Sequence, residues 1–248
     1  MTFWDHLDVL RKSIFRIVVV VLAAAIGLFA FKDFLFDGLI LAPSRGDFFL
    51  YKWIGADFSL SLVNIEVTAQ FMIHMKMAFL CAIVLTFPYV IFMVWRFIAP
   101  ALYENEKKKV GKAFLFASAL FYVGVTIGYV LIFPLMLNFF ADYQVSAAVP
   151  NMFSLSSYIS LLTSMVLTFG IVFEFPTLVA LLSALGILKR EWMKKYRRHA
   201  ICIVVILAAV ITPSGDPFSL AVVALPLYLL YEFSVYICKP EKVKTIEN

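Results

Sequence analysis

The run YISLLTSMVLTFGIVFEFPTLVALLSALGIL, residues 158–188, decides the fold. It holds a single charge, Glu174, and is far too long for a strand. An apolar helix of about 17–25 residues crosses the hydrocarbon of a bilayer. Similar runs occupy residues 14–31, 77–95 and 113–137. Two weaker ones, 200–211 and 218–238, flank the turn Thr212-Pro213-Ser214-Gly215-Asp216-Pro217. That turn is dense in helix breakers, so the pair reads as a short helical hairpin. The expectation is an all-α polytopic integral membrane protein: six transmembrane helices in one membrane domain over residues 1–248. Residues 32–70 mix acids with Phe48, Phe49, Tyr51 and Trp53, and are expected to form short helices capping the outer membrane surface.

Composition agrees. The chain is 63% hydrophobic and 15% charged, where a soluble domain carries about 25% charged residues. An ordinary soluble enzyme and a disordered segment are both excluded. The first run is longer than the apolar region of a signal peptide and no small-residue cleavage site closes it, so it reads as a retained span. Basic residues crowd one set of segments. Arg11, Lys12 and Arg16 precede the first run, Lys107, Lys108, Lys109 and Lys112 follow the second, Lys189 to Arg198 follow the fourth, and Lys239, Lys242 and Lys244 follow the last. The opposite segments carry Lys32, Arg45 and Lys52 among a larger number of acids. The positive-inside rule then puts both termini in the cytoplasm. The net charge of +5 reflects topology, and no nucleic-acid partner is implied.

The chemistry of an enzyme is missing. There is no HExxH, no GxSxG and no P-loop. His6, His74 and His199 fall at different membrane faces and read as interfacial hydrogen-bonders. Cys81, Cys202 and Cys238 are scattered without a pairing or metal-binding pattern. No metal and no cofactor are expected.

Glu174 is the sharpest feature. It lies about 24 Å along the helix from Tyr158, near mid-depth. A charge at that depth costs about 2.5–3.5 kcal/mol on insertion scales. Pro176 kinks the helix beside it. Two readings stay open here: a functional intramembrane carboxylate, as in a proton-coupled secondary transporter, or a structural glutamate between helices. Lys76 and Glu232 lie near span ends and are expected to snorkel, and Pro88, Pro134 and Pro226 to bend their helices. The run 200–211 covers only about 18 Å of a hydrocarbon core of about 30 Å. The bilayer is therefore expected to thin beside the hairpin, with Asp216 holding water near the membrane plane.

Four motifs resemble the TatC family, the signal-peptide-receptor subunit of the twin-arginine protein translocase. His6-Leu7-Asp8-Val9-Leu10-Arg11 is similar to the family's H-L-x-E-L-R. Phe97-Ile98-Ala99-Pro100-Ala101-Leu102, followed by Glu106-Lys107-Lys108, is similar to F-x-x-P-A-L-x-x-x-E-+-+. Phe169-Gly170 with Phe173-Glu174-Phe175-Pro176 matches F-G-x-x-F-E-x-P, and Thr212-Pro213 with Asp216-Pro217-Phe218-Ser219 matches T-P-x-D-x-F-S. The resemblance implies a receptor for signal peptides carrying an Arg-Arg pair. It also implies TatA-type, and often TatB-type, single-span partners, a higher-order complex in the bacterial cytoplasmic membrane, contact with membrane lipid, and export of folded cargo driven by the proton-motive force. Carried over, the signal-peptide site includes Arg11, Phe97, Leu102 and Glu106, and partner contacts fall on Glu174, Thr212 and Asp216. Two adjacent guanidinium forks call for two anionic acceptors. The family's N-terminal Glu falls on Val9 here, which leaves Asp8 and Asp5 as the carboxylates able to replace it. Leu220 stands where many members carry Gln, which removes a polar contact from the last span.

Overall fold

A computed structural model describes residues 3–55, 59–98, 104–146, 148–149, 151–212 and 215–238; the side chains of residues 3–6, 54, 98 and 104–113 lie outside that description. Ten α-helices are present among the described residues: α1 Phe3–Ala30, α2 Phe49–Ile54, α3 Ala69–Ile98, α4 Glu104–Ile127, α5 Phe133–Asp142, α6 Leu155–Val172, α7 Phe175–Ala184, α8 Arg190–Lys195, α9 Arg197–Ile211 and α10 Pro217–Ile237. Five stretches are long and apolar enough to cross a membrane: Leu7–Ala30, Ala69–Phe97, Phe114–Asp142, Leu155–Ala184 and Pro217–Ile237. At 15 residues, α9 is shorter than any of these.

The chain divides into two units, residues 1–100 with 125–167, and residues 101–124 with 168–248. In the first, α1 packs along α3. The cap is built from a π-helical turn Phe34–Ile40, a 3₁₀ turn Ala42–Ser44 and α2. Such irregular backbone leaves carbonyls without helical partners, and three tyrosines supply them. Tyr51 donates to the Pro43 carbonyl and Tyr158 to that of Ile40, each at 2.8 Å, and Tyr129 to that of Leu39 at 2.5 Å. Burial pushes the Tyr51 phenol well above its ordinary range, so it remains a donor. A two-residue parallel pairing, β1 Leu62–Val63 with β2 Phe153–Ser154, ties the cap to the segment before α6. Sequence reasoning missed it, because two residues are too few to carry an alternating pattern. The helix of the second expected span, α3, begins at Ala69 rather than Met77.

The prolines act in different ways. Pro88 and Pro226 sit inside α3 and α10, which run on through them. Pro134 follows a π-helical turn, Gly128–Ile132, and falls in the first turn of α5, where a missing N–H costs nothing. Pro176 does the same for α7: the expected single helix breaks at Phe173–Glu174 and restarts as α7. Gly186, at φ 74°, closes α7 with its N–H on the Ser183 carbonyl and the Ile187 N–H on that of Leu182. Only a residue without Cβ takes that left-handed turn cheaply, and it ends the run before residue 188.

In the second unit, α9 lays Ala200, Val204 and Ala208 against α10 at a four-residue spacing. Val179, Met193, Tyr231 and Val235 form the adjoining core. Asp216 caps α10: its carboxylate accepts the Ser219 N–H at 2.8 Å and the Ser219 hydroxyl at 2.6 Å. Gly124 of α4 lies so close to α6 and the residues after it that a Cβ there would meet the Phe169 carbonyl oxygen and lie 2.7 Å from Phe173 Cβ.

Gly124→Ala is therefore expected to destabilise the protein by about 1–3 kcal/mol through overpacking, read as a lower thermal midpoint in detergent. Gly27→Ala, where nothing lies within 4 Å, should leave the midpoint unchanged; identical midpoints for both variants would contradict the close approach. Asp216→Ala should cost about 0.5–2 kcal/mol as a lost N-cap, and Asp216→Asn much less. Equal losses in the two Asp216 variants would show that charge rather than capping geometry matters.

Candidate functional site

The residues carried over from the N-terminal motif lie on α1. Asp8, Arg11, Lys12, Phe15 and Arg16 recur at i, i+3, i+4, i+7 and i+8, which is one face of a helix. All five are exposed, and together they line a surface depression. Asp8 is the one acid among these lining residues, and it stands four residues before Lys12, the favourable order for a helical ion pair. Val9 is half-buried and takes no part in the lining. So of the two acids able to replace the family's Glu, Asp8 faces the depression, while the Asp5 side chain lies outside the described residues. Phe97, half-buried, is next to last in α3. Leu102 lies outside the described residues, as does the side chain of Glu106, whose backbone belongs to the first turn of α4.

Glu174 occupies the break between α6 and α7, where it is the residue preceding the first turn of α7. Thr177 is near enough to act on its carboxyl. Yet Glu174 Oε1 and Thr177 Oγ1 are both buried and complete no hydrogen bond among the described residues. A carboxyl oxygen in that condition is costly to keep, and one able to accept a donor from another molecule. Thr212 is buried and donates its hydroxyl back to the Ala208 carbonyl at 2.9 Å. Asp216 is engaged as the α10 cap. The geometry thus gives Thr212 and Asp216 structural partners in their own hairpin and leaves Glu174 with an open acceptor.

Glu232 pairs with Arg197 at 2.7 Å and accepts the Tyr228 hydroxyl at 3.0 Å, which joins α9 to α10. The hairpin returns Arg197 to the level of Glu232, and the four-residue step from Tyr228 to Glu232 was there to be read. His74 is not a hydrogen-bonder at an interface. Its ring stacks on Phe29 at 3.9 Å and meets the edge of Phe36 at 5.5 Å, and its Nε2 is buried without a partner among the described residues.

Comparison with known proteins adds to this geometry. The family model described as Sec-independent protein translocase protein (TatC) matches residues 5–226. The Sec-independent protein translocase protein TatC of Blattabacterium sp. subsp. Periplaneta americana is 35% identical, over 96% of this chain and 94% of its own length. The protein of the same name from Carboxydothermus hydrogenoformans is 32% identical, over 98% and 95%. A crystal structure of a twin-arginine translocase receptor, TatC, superposes with a TM-score of 0.75 at 27% identity, covering 94% of this chain and 97% of that one. A second, of the receptor in the detergent DDM, gives a TM-score of 0.78 at the same identity. By the reach of the family match and the level of these identities, the chain belongs to the TatC family of Sec-independent protein translocases.

Proposed function

We propose that this protein is a receptor for signal peptides bearing paired arginines and the core subunit of a translocase, not an enzyme, that exports folded proteins across the bacterial cytoplasmic membrane on the proton-motive force. The observation that carries the reading is the likeness, over 94% of the chain, to a solved twin-arginine translocase receptor. In this reading the chain is one membrane domain with both termini in the cytoplasm, and α9 is a sixth, short span. Its 15 residues reach about 22 Å, which supports a thinned bilayer beside it. The transporter alternative gains no support from the relatives.

Asp8 and Glu106 take the two guanidinium groups of the signal peptide, with Arg11, Phe97 and Leu102 positioning the peptide around them. The exposed carboxylate of Asp8 in an otherwise cationic depression supports its part in this. Lysine pairs, being point charges without a planar fork, fit less well than arginine pairs. Glu174 docks a membrane-spanning segment of a TatA-type or TatB-type subunit or of the signal peptide, through its open carboxyl oxygen.

A charge-assisted hydrogen bond contributes about 1.5–3 kcal/mol, so Asp8→Asn or Glu106→Gln should weaken binding of a twin-arginine peptide roughly ten- to a hundredfold. Photo-crosslinking from position 8 or 106, against a Lys-Lys control peptide, measures this; undiminished binding in both variants would place the arginine site elsewhere. For Glu174→Ala, the expected outcome is a folded protein with normal peptide binding and weakened export. Full export in that variant would reduce Glu174 to a structural group.

A further inference from the structure

The connection between α7 and α9 is strapped to the last helix. The Tyr231 hydroxyl donates to the Met193 carbonyl at 2.6 Å, and Arg197 reaches Glu232 at 2.7 Å. Near the end of α10, Cys238 Sγ approaches the Leu188 carbonyl at 3.7 Å. Met193, on α8 itself, is buried. These contacts hold α8 in one place, so what it presents outward has a fixed position.

Arg190 and Lys194 stand one turn apart on α8. The Arg190 guanidinium lies 5.7 Å from the centre of the Tyr236 ring, while its Nε is buried with no hydrogen-bond partner among the described residues. A buried guanidinium donor left unpaired is costly, and the group it matches best is an anionic oxygen. The charge that Glu232 carries is already taken by Arg197. Tyr236 is also the end of a stripe. Leu225, Leu229, Phe233 and Tyr236 recur at helical spacing along α10, and all are exposed. A cationic end on an apolar track complements a phospholipid, whose phosphate would meet the cations and whose acyl chain would lie along the track. A soluble anion would leave the track unused.

We propose that Arg190, Lys194 and Tyr236 form a binding site for the headgroup phosphate of an anionic phospholipid, whose acyl chain follows Phe233 and Leu229 along α10. Trp192, exposed on α8 two residues from both Arg190 and Lys194, serves as the reporter, since interfacial tryptophans lie at headgroup level. The site needs neither signal peptide nor partner subunit, so it stands or falls apart from the receptor reading.

The test uses the full-length chain in phosphatidylcholine nanodiscs doped with a minor fraction of phosphatidylglycerol or of phosphatidylcholine, brominated on the upper acyl chain. Quenching at Trp192 is isolated by subtracting the signal of Trp192→Phe. A basic residue near an anionic lipid surface enriches that lipid about fivefold. Brominated phosphatidylglycerol should therefore quench Trp192 severalfold more than brominated phosphatidylcholine. Arg190→Gln with Lys194→Gln should abolish the difference, and Arg190→Lys, which keeps the charge but loses the fork, should retain part of it. Equal quenching of the wild type by both lipids overturns the proposal, whether or not the variants fold. So does loss of the difference on adding inorganic phosphate at ionic strength matched with chloride, because the site would then serve a soluble anion.

Discussion

A peptide group in hydrocarbon has no water to turn to, and leaving one unpaired costs several kcal/mol. Among the described residues, several departures from regular helix answer that constraint within a turn or two. Where Pro134 removes a donor, the preceding turn widens to π-helical geometry before the proline enters the first turn of a new helix. Where Pro176 does so, the helix stops at Glu174 and starts again. At the head of α10 the Ser219 N–H meets the Asp216 carboxylate, and at the foot of α7 the carbonyls meet the N–H groups around Gly186.

The cap is the largest case. Its π-helical and 3₁₀ turns leave carbonyls facing inward, and these are met by phenols arriving from distant segments. A tyrosine suits this duty because one end of the side chain packs and the other donates. Tyr158 both closes against Phe133 and bonds the Ile40 carbonyl, so packing and backbone satisfaction are set by the same residue. The cap is thereby fixed to the helices by side chains more than by sheet, since its one strand pairing is two residues long.

What was legible in the sequence follows from how local each signal is. Long apolar runs announce helices, and Asp8, Lys12 and Arg16 announce a shared face, because both signals sit within a few turns. Glu174 beside Pro176 declared itself for the same reason, as did the hairpin turn. The tyrosine contacts of the cap could not be read, since donor and acceptor lie 90 residues apart for Tyr129 and 118 for Tyr158. His74 was misread because an imidazole in a span has two options, a hydrogen bond or an aromatic sandwich, and only the positions of Phe29 and Phe36 decide between them. The pair that Glu232 makes with Arg197 could not be read from depth alone, because the partner lies across the hairpin. For the arginine site the motif located α1, and the helical face then distinguished Asp8 from Val9.

The lopsided environment of α1 bears on how the chain is made. It is the most apolar of the five candidate spans and the least covered. Its helix partner within its own unit is α3, which is complete only at Ile98. During synthesis α1 is therefore complete before the cap and α3, its packing partner, have been translated. Stability at that stage comes from the sequence of α1 alone. Polar substitutions along its exposed face would be felt as failed insertion, before any tertiary contact exists to compensate.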